Sequence, residues 1–227
     1  MRNPFRELTR FELCLWLTSV VVVTLSYILS GSGGRLTALS SLIGVTALIF
    51  VSKGYVLGQV LTLVFALFYG IVSFFFGYYG EMITYLGMSA PAALMSIVSW
   101  LRHPYKGTKV VEVNRLTKKQ WVIGGIITVA ATAAFYFILS ALNTKNIVFS
   151  TVSVATSMAA SYLTFLRSPF YGIAYGLNDI VLIVLWVLAS IEDISYIPMI
   201  VCFIMFLFND LYGFYNWQKI KTKQSEK

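Results

Sequence analysis

The stretch FNDLYGFYNW, residues 208–217, ends the last apolar run of the chain, yet it carries an amide and a carboxylate at Asn209 and Asp210. Polar groups at hydrocarbon depth must find partners inside the protein, because lipid offers no hydrogen bonds. The stretch therefore predicts a membrane-spanning helix that turns one polar face toward other helices or toward a cavity.

The composition extends this prediction to the whole chain. Of the 227 residues, 58% are apolar and only 11% are charged, whereas soluble domains contain roughly a quarter charged residues. We interpret residues 1–227 as one all-α polytopic membrane domain. Apolar runs long enough to cross a bilayer predict about eight spans, at 13–30, 36–52, 55–76, 82–101, 121–142, 147–166, 169–190 and 196–217.

The Lys and Arg residues test this count. With eight spans, 15 of the 17 fall on one side and only Arg35 and Lys145 fall on the other. Short cytoplasmic loops carry the excess of Lys and Arg, so we expect a multi-pass cell-membrane protein with both termini in the cytoplasm. The basic residues that give the formal charge of +8 follow this topology. We therefore expect the lipid bilayer as a partner and no nucleic acid.

An internal duplication is also expected. Lys53 and Arg167 each open a turn between two spans, and Gly58 and Gly172 follow them five residues later, which gives an offset of 114 both times. The acidic turns GYYGE at 77–81 and SIED at 190–193 correspond roughly. The pattern predicts a parallel 3+1+3 repeat, with three-helix copies at 36–101 and 147–217, a linker span at 121–142 and an additional N-terminal span at 13–30.

Polar residues recur at helical spacing in the last two spans. Tyr175, Asn178 and Trp186 share one face with Asp179 at its border, and Asp179 lies near mid-membrane, where an ionised carboxylate is costly. Asn209 and Tyr212 share a face of the final span, with Asp210 on the adjacent face, and Gln59 is a further intramembrane amide. We interpret this set as the lining of a substrate cavity, with hydrogen bonding between packed helices as the alternative.

Catalytic and metal-binding motifs are missing from the sequence. It contains no phosphate-binding loop, no nucleophile elbow and no HExxH pair, and Cys14 and Cys202 cannot form a zinc site. We expect neither cofactor nor metal, and no enzyme. The alternatives are an intramembrane enzyme that uses Asp179 and Asp210 as acid and base, or a non-transporting membrane subunit.

Three motifs carry a family resemblance: RSPFYGIAYGLND at 167–179, FNDLYGFYNW at 208–217 and GYYGEM at 77–82. Over nearly its whole length the chain resembles the PnuC family of nicotinamide riboside transporters. The resemblance implies a fold related to the SWEET sugar transporters, a homotrimer, and facilitated diffusion of the vitamin B3 precursor followed by intracellular phosphorylation that traps it. It also implies that Asn178, Asp179, Trp186 and Asn209 line the substrate site.

The sequence departs from the family at ALMSIVSW, residues 93–100, where Trp100 stands alone and many nicotinamide riboside members have more Trp residues. Related members carry thiamine, riboflavin or nucleosides. The residues listed above suit any substrate that combines a flat ring with a polyol or a charge.

Overall fold

The computed structural model describes residues 3–31, 35–75 and 79–226. Within these ranges, eight helices are long and apolar enough to cross a membrane, which confirms the predicted number. They are α1 Arg10–Ser30, α2 Arg35–Ser52, α3 Val56–Phe75, α4 Tyr79–Arg102, α5 Lys118–Ala141, α6 Ile147–Phe165, α7 Tyr171–Glu192 and α8 Ile197–Ser225. Most of the turn predicted at 31–34, and part of the turn at 77–81, lie outside the described residues.

Polar caps explain why two helices begin before the predicted apolar runs. At α1, Thr9 Oγ1 accepts from Glu12 N at 3.3 Å, and Glu12 Oε2 accepts from Thr9 N at 2.6 Å. Thr117 and Gln120 form the same reciprocal capping box at α5. Each box satisfies free N–H groups of the first turn, so the helix extends to the cap rather than to the first apolar residue.

The helices pack as two three-helix groups. In the first group α3 packs against α2 and α4, and in the second group α7 packs against α6 and α8. Contacts of α2 with α8 and of α4 with α6 join the groups, while α5 packs against α6 and α1 packs against α2 and α8. In both contacts between the groups, the first helix of one group packs against the last helix of the other. A two-fold axis between the groups would give this arrangement. The internal repeat itself stays a prediction.

The two ends of the described chain, at residues 3 and 226, lie on the same side of the bundle, here called the terminal side. Lys109, in the loop between α4 and α5, forms an ion pair with Glu7 at 2.6 Å, and this bond holds the pKa of Glu7 below its usual value. From the end of α8, Gln224 accepts a hydrogen bond from Val113 N at 2.8 Å. These contacts tie the N-terminal segment and the end of α8 to the same loop.

The turns that start α3 and α7 on the terminal side have matching backbones. Gly54 (φ 68°) and Arg167 (φ 58°) occupy the left-handed region, which is uncommon for a residue other than glycine. The carbonyl of Gly54 accepts from Val111 N at 2.9 Å, and that of Arg167 accepts from Asn114 N at 3.0 Å. By backbone conformation, Arg167 therefore corresponds to Gly54. The sequence comparison had aligned Arg167 with Lys53, one residue earlier.

Helix α4 contains a π-helical segment, Tyr85–Ser89, just before Pro91. Proline has no N–H, so the carbonyl four residues earlier, on Gly87, loses its usual α-helical partner. A wider turn at this point relieves that defect, and such π segments frequently occur at functional sites.

Candidate functional site

A cavity of about 470 Å³ lies between the two three-helix groups. Its lining comes from α2, α3 and α4 of the first group and from α6, α7 and α8 of the second. Small-molecule sites in proteins commonly have volumes of about 300 to 1,000 Å³. The position between the groups is where a transporter built from repeats would hold its substrate.

The cavity extends to the side of the bundle opposite the terminal side. Its lining there includes Tyr79 at the start of α4, Lys145 in the turn between α5 and α6, and Glu192 at the end of α7. Lys145 and Glu192 form an ion pair at this rim, and both side chains are exposed. The far end of the cavity is therefore polar and close to solvent.

Two tryptophans close the bundle toward the terminal side. Trp100 and Trp217 are 1% and 0% exposed, and their ring centroids lie 5.3 Å apart. Tyr171 packs edge-on against Trp217 at 5.0 Å and also lines the cavity. We call Trp100 and Trp217 the tryptophan pair. The cavity therefore reaches the far side of the bundle, while the tryptophan pair closes it on the terminal side.

Aromatic rings form much of the cavity wall. Phe65 contacts Tyr85 with centroids 5.8 Å apart and Phe206 at 6.0 Å, which connects α3, α4 and α8. On the opposite helix, Trp186 packs against Tyr196 at 5.3 Å. The indole Nε1 of Trp186 is buried, and no group in the described part of the chain accepts its hydrogen. The wall thus offers flat apolar surface together with one unused donor.

Six of the eight predicted site residues line this cavity: Gln59, Tyr175, Asn178, Asp179, Trp186 and Asp210. The Tyr175 hydroxyl lies 3.1 Å from Ser161 Oγ, and Asn178 Oδ1 accepts from Thr156 Oγ1 at 2.9 Å. These bonds to α6 fix the two side chains. They leave the amide hydrogens of Asn178 without a partner among the described residues, as is also the case for the Gln59 side chain.

The other two, Asn209 and Tyr212, lie outside the cavity lining and face α1. Asn209 Nδ2 donates to Ser19 Oγ at 3.0 Å, and the Tyr212 hydroxyl donates to Glu12 Oε1 at 2.9 Å. Glu12 is 1% exposed and also pairs with Lys53 at 2.9 Å. Adjacent residues on a helix point about 100° apart, so Asp210 faces the cavity while Asn209 faces the additional N-terminal helix.

The cavity wall contains an acid pair, Asp179 of α7 and Asp210 of α8, each 3% exposed. Both residues line the cavity where α7 and α8 pack together, and Asp179 Oδ2 has no hydrogen-bond partner in the described structure. The helices approach closely because Gly172 has no side chain, and a Cβ there would lie 2.5 Å from the carbonyl oxygen of Asp210. Two carboxyl groups can hydrogen-bond only if one of them carries a proton.

A cavity at the junction of two three-helix groups, in a bundle of eight apolar helices, has the architecture of a membrane transporter. The sequence profile of a family described as nicotinamide mononucleotide transporter matches residues 34–219. The chain belongs to the nicotinamide mononucleotide transporter family. This membership confirms the resemblance drawn from the motifs at 167–179 and 208–217, and identifies a multi-pass membrane protein of a transporter family.

Relatives within this family agree over nearly the full length. The chain is 26% identical to the nicotinamide riboside transporter PnuC of Neisseria mucosa, with 99% of this chain and 87% of the relative aligned. It is 26% identical to PnuC of Haemophilus influenzae, with 91% and 89% aligned. A crystal structure of the vitamin B3 transporter PnuC superposes with a TM-score of 0.81 at 24% identity, covering 96% of this chain and 94% of that one, which shows the shared fold.

The structure also places residues in the cavity that the sequence interpretation assigned elsewhere. Glu81, expected in an outer turn, lies in the first turn of α4 and lines the cavity. Thr84 and Tyr85 line it as well. Their spacing of three and four residues from Glu81 puts all three on one helical face, and that periodicity was the signal that could have found them.

Proposed function

We propose that this member of the nicotinamide mononucleotide transporter family carries nicotinamide riboside across the cell membrane. The observation that carries the proposal is the combination, in one cavity, of aromatic walls, free amides and an acid pair. Both named relatives are nicotinamide riboside transporters, and they align with this chain through nearly all of their own length.

The charges of the lining favour the riboside over the mononucleotide in the family description. Four carboxyl groups line the cavity, on Glu81, Asp179, Glu192 and Asp210. The described lining contains a single cation, Lys145, and that cation is already paired with Glu192. A phosphate group would bring up to two negative charges into this acidic site without a free Lys or Arg to bind it.

Each cavity residue then has a role that follows from its free groups. Trp186 stacks against the ring and donates its unused N–H, while Tyr175 borders the ring from the same helix. Asn178 and Gln59 offer amide groups to the ribose hydroxyls, because their own helices leave those groups unpaired. Asn209 and Tyr212 hold α1 against α8 and act on the site only through that packing.

Transport in this proposal is facilitated diffusion by alternating access. The cavity takes substrate from outside, the tryptophan pair then separates, and the terminal side opens to the cytoplasm, where both termini lie. Phosphorylation inside the cell traps the vitamin. The acid pair serves binding rather than catalysis, since no nucleophile accompanies it, and the protein is not an enzyme.

Two further parts of the proposal concern architecture. The contacts between α2 and α8 and between α4 and α6 support a parallel 3+1+3 repeat plus the N-terminal helix. We also propose a homotrimer, as the family resemblance implies. Helix α5, of which only 11% is buried within one chain, offers apolar surface for such contacts. Mass analysis of the protein released from nanodiscs measures the number of subunits.

Uptake into liposomes that contain only the purified protein tests the function. With the membrane potential clamped at zero, labelled nicotinamide riboside should equilibrate across the membrane, and a proton or sodium gradient should not drive accumulation. Nicotinamide mononucleotide, thiamine, riboflavin and uridine serve as competitors. Stronger competition by any of them would reassign the substrate, and accumulation above the outside concentration would contradict facilitated diffusion.

A further inference from the structure

The acid pair lacks a countercharge. Asp179 and Asp210 are both 97% buried, and neither belongs to any of the ion pairs that the described residues form. Glu12, which is 1% exposed, pairs with Lys53 and accepts from Tyr212. The contrast shows that this protein does supply partners for a buried acid where the acid has a structural role.

A proton shared by Asp179 and Asp210 would neutralise only one of the two buried carboxylates. If the two carboxyl groups hold one proton between them, one negative charge remains. A single buried charge at membrane depth is costly unless an opposite charge meets it. Among the described residues that line the cavity, the one cation is Lys145, and it is paired with Glu192 at the rim.

We infer that the acid pair selects substrates whose ring carries a fixed positive charge. This inference rests on the proposed function and names the property by which the site recognises its substrate. The charge comes from the ligand, and the neighbouring aromatic rings provide faces that also attract a cation. Asp179 and Asp210 are therefore the residues that determine charge specificity, while the amides recognise the sugar.

This property divides the substrates considered for the family into two classes. Nicotinamide riboside contains a pyridinium nitrogen and thiamine contains a thiazolium nitrogen, and both nitrogens are positively charged at every physiological pH. Riboflavin and the common nucleosides carry no such charge. The reduced dihydro form of nicotinamide riboside has the same ribose and nearly the same shape with an uncharged ring, so it isolates the contribution of charge.

The test measures the affinity of the purified protein for nicotinamide riboside and for its dihydro form. We expect the wild type to prefer the charged form by about tenfold or more, as one charge pair at low effective dielectric supplies. Asp179→Asn and Asp210→Asn should each reduce the preference to near unity by weakening only the charged ligand. Glu7→Gln also removes one carboxylate, at the terminal side, and should leave both affinities unchanged.

The outcomes separate the two proposals. A wild type that binds neither form contradicts the proposed function. A wild type that binds both forms equally overturns the charge inference alone, as does an equal loss of both ligands in the two Asn variants at unchanged melting temperature. If an Asn variant does not fold, the wild-type preference and the other variant still decide the question.

Discussion

Trp100 and Trp217 bind the two three-helix groups reciprocally: Trp100 Nε1 donates to Thr164 O at 3.0 Å, and Trp217 Nε1 donates to Val51 O at 2.9 Å. The preceding residues repeat the pattern, with Ser99 Oγ donating to Phe165 O and Asn216 Nδ2 to Ser52 O. Four bonds that cross between the groups at one level are well placed to hold the terminal side closed.

The tryptophans of the seal and of the cavity should respond oppositely to the same substitution. Trp217→Phe removes one of the two hydrogen bonds to the buried Val51 carbonyl, which keeps its bond from Gly54 N, and this loss should cost about 0.5 to 1.5 kcal/mol of stability. Trp186→Phe removes an N–H that has no partner among the described residues, so the ligand-free protein should be at least as stable while substrate affinity falls. Melting temperatures in detergent, with and without nicotinamide riboside, measure both effects. An equal loss of ligand-free stability in the two variants would contradict the assignment.

Gly172 should tolerate no side chain. A Cβ there meets the backbone oxygen of Asp210 at 2.5 Å, whereas at Gly125 on α5 nothing lies within 4 Å. Gly172→Ala should therefore destabilise the protein by about 1 to 3 kcal/mol through overpacking, and should also weaken binding by shifting the acid pair. Gly125→Ala, the matched control, should leave stability unchanged or raise it by up to about 1 kcal/mol. Thermal unfolding that ranks the two variants the other way would refute the close α7–α8 contact.

The same Asn→Ala substitution can be compared at a residue that lines the cavity, Asn178, and at one that faces α1, Asn209. Asn209→Ala removes the bond to Ser19 on α1, so the melting temperature should fall while affinity stays near normal. Asn178→Ala should instead weaken binding several-fold, up to about tenfold, with a smaller fall in melting temperature, because Thr156 Oγ1 keeps its bonds to the Val152 and Ser153 carbonyls. Titrations and melts on the same preparations show both quantities. A loss of affinity in Asn209→Ala alone would return that residue to the substrate site.

The orientation can be measured by labelling single cysteines in a protein without Cys14 and Cys202. Lys145→Cys, at the rim of the cavity, should react with a membrane-impermeant maleimide added to intact cells. Thr108→Cys and Thr222→Cys, both exposed on the terminal side, should react only after the cells are opened. Reaction of position 108 in intact cells would place the termini outside.

The sequence was sufficient for the number of spans because hydropathy acts over whole helices, and the predicted second span, 36–52, is α2, Arg35–Ser52. The sequence predicted the site less completely. Helical periodicity shows which residues share a face, but it does not show whether that face contacts the cavity or another helix. Asn209 and Asp210 illustrate this limit: one faces α1 and the other faces the cavity. Glu81 was assigned to a turn because an acidic residue next to glycines and tyrosines does not by itself distinguish a loop from the first turn of a helix.

The family profile begins at residue 34, after α1, which could suggest that α1 is dispensable. The Glu12 carboxylate argues otherwise, because it neutralises Lys53 and accepts the Tyr212 hydroxyl while it caps its own helix. A chain shortened to the shared region would leave the Lys53 ammonium and the Tyr212 hydroxyl without the Glu12 carboxylate, and the Asn209 amide without Ser19. Helix α1 thus behaves like a small subunit that is covalently attached to the other seven helices. A separately expressed α1 peptide should restore the stability of the shortened transporter.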